Sequence, residues 1–399
     1  MNDDFNPQRR RLVAATLSAG ALVPWTRLSF AASAGTGANR FVMVILRGGM
    51  DGLSAVPAIG DPDFAAARGA LAQFTVPPLA LDSGFALHPQ LAQLHAMYGR
   101  SELVVVHAVG LPYRERSHFD AQQVLESGGT RPHELATGWL GRALGSTGGK
   151  GLALDTSVPL VLRGPGTVDT WAASVLPDPS PDLVSRLEPM YANDAALAGA
   201  LARAKALHFD PAMTASLAGM PAGNALRPGG LAPLAQRAAE FLSQANGPQA
   251  AVLEVGGWDT HANQAAPNGA LANNLRNLDA GLAALRDGLV ASQVWRQTVV
   301  VVATEFGREV AINGTQGTDH GSAGAAFVLG GAVAGGRMLA DWPGLARRER
   351  FEGRDLRTTL DLRAVLKGVL SDHLGLSTAA LSRDVFPGGD GVKGVALLR

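Results

Sequence analysis

The sequence predicts a doubly wound α/β fold, a mostly parallel sheet sandwiched by helices, on three observations. Apolar segments of strand length recur, β-branched and nearly continuous rather than alternating, as suits strands covered on both faces. Helical patterns lie between them. The clearest is "NGALANNLRNLDAGLAALRDGLVAS", where Leu271, Leu275, Leu278, Leu282, Leu285 and Leu289 recur every three or four residues. The loops that follow the apolar segments are polar and rich in potential ligands, as expected outside the carboxyl ends of strands in an open α/β sheet.

Composition sets the outer limits. With 399 residues, 47% of them hydrophobic, the chain can bury a substantial core. Lys+Arg 34 balances Asp+Glu 34, so no global field would hold nucleic acid or an anionic membrane surface, and binding must come from a local site.

The first element is an export signal. "MNDDFNPQRRRLVAATLSAGALVPWTRLSFAASAG" has three successive arginines, Arg9 to Arg11, then an apolar stretch from Leu12 to about Pro24, and Ala32-Ser33-Ala34 as a small-residue cleavage site. The Arg9-Arg10 pair resembles the twin-arginine signal, with Gln8 where Ser or Thr is usual. An ordinary secretory signal or a membrane anchor is the alternative, although the apolar stretch is short for a bilayer. Residues 1–34 are expected to be removed, placing the protein in the periplasm or outside the cell with no stable membrane span. Cys 0 means no disulfides in a compartment that allows them, and a machinery that exports folded proteins removes the need for them.

Strands are expected at "RFVMVIL" (40–46), "ELVVVHAVG" (102–110), "VPLVL" (158–162), "AAVLEVG" (250–256), "TVVVVAT" (298–304) and "AAFVLGG" (325–331). Residues 40–399 read as a single α/β domain. Ala-rich helical stretches broken by "GMPAGNALRPGGLAP" mark residues 177–248 as a helical insertion.

The loops carry the chemistry. "RGGMDGLSAV" has Asp51 and Ser54, and "LPYRERSHFDAQ" has Arg114, Arg116, Ser117, His118 and Asp120. "GGWDTHANQ" has Asp259, His261 and Asn263, while "EFGRE" and "GTDHG" bring Glu305, Arg308, Asp319 and His320. Carboxylate oxygen plus imidazole nitrogen suits zinc, manganese or a similar divalent ion, each loop supplying one or two ligands. Any one of these acids taken alone is better explained as a helix cap or turn residue. Ser117 in particular fits a cap of the helix "HFDAQQVLES", with Asp120 three residues on. The same helix start would support an anion or an ionising hydroxyl.

The other histidines, His88, His95, His133, His208 and His373, lie in apolar or helical contexts and read as packing or surface residues. His107 reads as a hydrogen-bonded core residue. "LGSTGGKG" misses the phosphate-loop pattern at Leu144 and Gly151, and no Gly-x-Ser-x-Gly elbow occurs.

The succession "NNLRNLDAGLAALRDGLVASQVWRQTVVVVATEFGREVAINGTQGTDHG" resembles the C-terminal half of alkaline phosphatase-like enzymes. More specifically, "VILRGGMDGLSAVPAIGDPDF", "RSHFDAQ", "GGWDTHANQ" and "TEFGR" with "GTDHG" resemble a bacterial family of twin-arginine-exported proteins, classed as a domain of unknown function, over about 41–387. The resemblance implies a binuclear metal site and a Ser or Thr nucleophile acting on phosphate or sulfate esters. On this chain it makes Asp51, Asp259, His261, Glu305 and His320 metal ligands and Ser117 the nucleophile, with Asp319 a substitute ligand and Arg116 or Arg308 an anion clamp. The sequence departs from the superfamily at Phe306, where a ligand imidazole is expected, and in the single residue between Asp259 and His261. The sulfatase signature Cys- or Ser-x-Pro-x-Arg is absent. The expected function is an exported metal-dependent hydrolase or transferase of a small-molecule or glycan ester. The alternative is a non-catalytic member that binds an envelope partner or glycan.

Overall fold

The computed structural model describes residues 39–82, 84–172, 180–208, 230–266 and 268–399, so the expected signal at 1–34 lies outside the described residues. A nine-stranded sheet runs through the molecule. Its strands are β1 (Arg40–Leu46), β4 (Leu103–Gly110), β5 (Lys150–Ala153), β6 (Thr167–Thr170), β7 (Ala250–Val255), β8 (Thr298–Thr304), β9 (Gly324–Leu329), β10 (Arg337–Leu339) and β11 (Leu360–Asp361). A small antiparallel pair, β2 (Leu79–Ala80) and β3 (Ala86–Leu87), stands apart. The order is β10-β4-β9-β8-β1-β7-β5-β6, with β11 also beside β4. All pairings in the large sheet are parallel except those of β9, which is antiparallel to both β4 and β8.

The continuous apolar segments follow from burial on both faces. Val42, Val44 and Leu46 of β1 pack into one core, and Phe41, Met43 and Ile45 into another on the opposite face. The first core is closed by α3 (Ala92–Gly99), α8 (Leu231–Ser243) and α9 (Ala270–Ala291). Closing the second are α4 (His118–Ser127), α5 (Trp139–Thr147) and α10 (Leu362–Leu374). All six leucines of the α9 pattern are buried. The shorter helices α1 (Gly52–Ala55) and α2 (Phe64–Arg68) lie in the connection after β1.

Two segments differ from the sequence expectation. "VPLVL" is not a strand: Leu160–Leu162 form a 3₁₀ turn, buried against the α4 and α5 side. Pro159 has no N–H to offer a ladder, and the Val161 N–H goes to Glu126 Oε2 at 3.0 Å. The strands on either side, "KGLA" and "TVDT", are too short and too polar to be read from a hydrophobic pattern. In the expected insertion, α6 (Pro181–Tyr191) and α7 (Ala195–His208) are helical, but α8 belongs to the sandwich itself, with Leu231, Ala235 and Phe241 in the core.

His107 is fully buried, with Nε2 3.0 Å from the Val56 carbonyl and Nδ1 accepting the Ala108 N–H at 2.8 Å. Burial, outweighing that hydrogen bond, lowers its pKa to about 4 and keeps it neutral. Among the described residues no helix is long and apolar enough to cross a membrane.

The α9 leucines give a test of the layer. Leu282→Ala is expected to cost about 2–5 kcal/mol in denaturant unfolding, whereas Val290→Ala, at a position 42% exposed, is expected to stay within about 0.5 kcal/mol of wild type.

Candidate metal centre

Because β1, β4, β7 and β8 run the same way, the loops after them leave along one edge of the sheet, and the loop entering antiparallel β9 starts at that edge. Three imidazoles and one carboxylate from these loops meet there. His118 opens α4, Asp259 and His261 follow β7, and His320 precedes β9. His320 Nε2 lies 3.0 Å from His118 Nε2 and 3.0 Å from His261 Nε2. Asp259 Oδ1 lies 3.0 Å from His261 Nε2, 3.3 Å from His320 Nε2 and 3.4 Å from His118 Nε2.

The far side of each ring decides what faces inward. His118 Nδ1 is 2.8 Å from Glu305 Oε1, His261 Nδ1 is 3.0 Å from Asp319 Oδ1, and His320 Nδ1 is 3.0 Å from the Arg116 carbonyl. Ionised carboxylates and carbonyls only accept, so these partners assign a proton to every Nδ1. A neutral ring then presents Nε2 as a bare lone pair. His261 fits this assignment, because the Arg308 guanidinium, which can only donate, lies 3.5 Å from its Nε2. Three such lone pairs and a carboxylate oxygen repel one another at these separations unless a cation sits among them. Ligands on a tetrahedral ion with bonds of roughly 2.0–2.2 Å lie about 3.3–3.6 Å apart, close to what is seen. His118, Asp259 and His320 have ligand atoms all within 4.8 Å of one another, and His261 reaches two of the three.

The charges agree. Glu305, chiefly through its hydrogen bond, raises the pKa of His118. Burial first, then the charges of His118 and Arg308, lower that of His320. Burial acts to raise the pKa of Asp259, but the Arg308 hydrogen bond and charge, with the two imidazoles, outweigh it and bring it to about 2. Asp259 is therefore an anion throughout the working range. With Asp259 and His261 side chains 47% and 43% exposed, a ligand can reach the centre from solvent.

The loops are built for close approach. A Cβ on Gly317 would lie 2.2 Å from the His261 carbonyl carbon, and one on Gly321 would lie 2.3 Å from that of Arg308. The glycines flanking Thr318-Asp319-His320 thus let the segment lie directly on its neighbours. Phe306, the position where an imidazole was expected, is buried with its ring centroid 4.7 Å from His118 and 5.1 Å from His320. It backs both rings as an apolar wall, and His118 from another loop supplies the imidazole.

Of the expected ligands, Asp259, His261 and His320 come together. Glu305 and Asp319 stand behind the rings instead. Glu305 Oε1 also accepts the Gly48 N–H at 2.8 Å, and Oε2 the Thr304 hydroxyl at 3.0 Å. Asp51 is engaged elsewhere, a correction to its expected role. Its Oδ1 caps α1 through the Leu53 and Ser54 N–H groups, and its Oδ2 accepts from Ser54, Gln264 and the fully buried Arg68. No lone pair remains for a metal. Arg308 is fully buried, donating to Asp259 and to the carbonyls of Gly48, Gly49, Trp258 and Thr318. Arg116 pairs with Asp355 and Glu352. Neither guanidinium is placed as an anion clamp. Ser117 caps α4, its Oγ accepting the Asp120 N–H at 3.5 Å. His118 stands among the polar residues of its loop but carries no ligand role in the sequence expectation. The available signal was its place at the first position of a helix beginning on the sheet's ligand edge.

Residues 101–376 match the profile of a family described as Protein of unknown function (DUF1501). The chain belongs to this family. A comparison of this DUF1501 protein with curated proteins finds no match. Among solved structures it is similar to Ps i-CgsB in complex with k-i-k-neocarrahexaose, at 10% identity over 90% of this chain and 75% of that one, TM-score 0.43. It is also similar to the PsFucS1 sulfatase from Pseudoalteromonas sp., at 11% over 98% and 75%, TM-score 0.40. A further likeness is to the phosphonate monoester hydrolase of Agrobacterium radiobacter, at 11% over 85% and 74%, TM-score 0.39. These scores mark distant likeness only, and the centre stands on its own geometry.

His118→Ala is expected to abolish zinc binding in a competitive chelator titration. Asp51→Asn is expected to leave it intact while lowering unfolding stability by about 3–5 kcal/mol, because Arg68 loses its buried partner. Loss of the ion in the Asp51 variant would return that residue to the ligand set.

Proposed function

We propose that this DUF1501 protein is an exported, metal-dependent hydrolase or transferase acting on phosphate or related esters of a small molecule or glycan. The observation that carries the reading is the convergence of three Nδ1-anchored imidazoles with the Asp259 carboxylate at a solvent-reachable sheet edge. The donor set suits zinc or manganese. A divalent ion held there supplies Lewis acidity, polarising an ester oxygen and acidifying a hydroxyl beside it.

The chain's own residues divide the remaining work. His118, His261, His320 and Asp259 hold the ion, and Glu305 and Asp319 keep the rings in the right tautomer. Phe306 keeps water from one side of the imidazoles. Ser117 is the nucleophile in this reading: it precedes His118 directly, and the amino end of α4 favours an alkoxide or a bound anion. Arg116 and Arg308 act as supports.

That last point favours a second reading, in which both arginines are spent on structure and a non-catalytic protein uses the ion to fix a surface for an envelope partner or glycan. Zinc- or manganese-loaded protein assayed on aryl phosphate, phosphonate and sulfate esters separates the two. Turnover that is lost on chelation and restored by the ion supports the enzyme, and loaded protein inert on all three supports the binding role. Ser117→Ala is expected to abolish turnover with metal content unchanged and about 1 kcal/mol of stability lost as a cap. Full activity in that variant would move the nucleophile elsewhere.

Export by the twin-arginine machinery is part of the proposal and is supported by Arg9, Arg10 and the apolar stretch after them. Replacing both arginines by Lys is expected to hold the precursor in the cytoplasm, and normal processing near Ala34 in that variant would rule this route out.

A further inference from the structure

We infer that Asp355, a buried carboxylate outside the ligand set, is a positioning residue for the metal centre, because it ties together the two loops that deliver His118 and His320. The inference rests on reading that centre as a metal site.

Asp355 is fully buried, and its Oδ2 serves both loops at once. It accepts the Arg116 Nε–H at 2.8 Å and the Ser322 hydroxyl at 2.9 Å. Arg116 lies two residues before His118, and its carbonyl is the oxygen that takes the Nδ1–H of His320. Ser322 lies two residues after His320. The neighbouring Arg354 donates to the His320 carbonyl at 2.8 Å, and the Ala323 N–H reaches the Leu356 carbonyl at 3.2 Å. Asp355 is itself fixed by backbone bridges to Phe351 and Glu309.

The backbone of Arg116 explains why an anchor is required. Its φ is +61°, left-handed for a residue with a side chain. Such a conformation persists only where the surroundings over-determine it. The side chain of Arg116 is held by Glu352, which is 56% exposed and therefore screened, and by Asp355, which is shielded from water. Release of the guanidinium would let the 116–117 peptide turn, and the Arg116 carbonyl would leave the His320 ring. The other oxygen of Asp355 is buried without a hydrogen bond, with Arg354 Nε at ion-pair distance, 3.7 Å.

The test is zinc affinity of Asp355→Asn, which keeps the side-chain volume and the Ser322 contact but removes the charge that holds Arg116. The affinity of the metal-stripped protein, measured by competition with a chromogenic chelator, is expected to fall roughly 10–100-fold, as for other outer partners of metal-bound imidazoles. Arg116→Ala is expected to weaken binding to a similar extent, and the double variant no further, since both act through one link. Arg116 is partly exposed, so this variant keeps the test open should Asp355→Asn fail to fold. Leu285→Ala, in the core of α9, serves as a destabilised control with unchanged affinity. Wild-type affinity in Asp355→Asn or in Arg116→Ala, or an equal loss in Leu285→Ala, overturns the positioning role. Absence of zinc binding in the wild type would instead overturn the metal centre itself.

Discussion

An imidazole has one nitrogen to give a cation, and which one is settled by what the other nitrogen touches. In this protein Glu305, Asp319 and the Arg116 carbonyl each take an Nδ1 proton, so three Nε2 lone pairs are forced to face the Asp259 carboxylate. Four electron-rich atoms held this close are tolerable only around positive charge. The surrounding structure works to keep them there: the Arg308 guanidinium locks Asp259 to four backbone carbonyls, and Phe306 backs two of the rings.

Delivery of these atoms depends on strand direction. Parallel β4, β7 and β8 release their loops at one edge, and antiparallel β9 begins at that same edge, so the loop entering it carries His320 there. An antiparallel strand in an otherwise parallel sheet places a residue before a strand beside residues that follow other strands. The first loop is occupied differently. Its Asp51 is neutralised by buried Arg68, a cation that the chain supplies itself, so that loop contributes the Gly48 N–H and two carbonyls to the centre rather than a ligand.

Much of this was legible in the sequence. Continuous β-branched segments at 40–46, 103–110, 250–255 and 298–304 declared strands buried on both faces, and the leucine spacing of 271–289 declared the helix across them. Asp259, His261 and His320 were visible as candidates that share one edge, because loops at the carboxyl ends of parallel strands, and the loop entering antiparallel β9, open there. The strands at 150–153 and 167–170 were not visible, since "KGLA" and "TVDT" owe their pairing to neighbours rather than to any pattern of their own.

The sequence by itself determined the layers, the ligand edge and the kind of chemistry gathered there, because hydrophobic period and loop composition are local properties. Tertiary structure alone decided which atoms play which part. Glu305 meets His118 across 187 residues, and Gln264 meets Asp51 across 213. A carboxylate is a ligand, a buffer for an imidazole proton or the partner of a buried arginine according to what lies within about 3 Å of it, and contacts between residues so far apart in the chain are made only when the sheet brings its loops together.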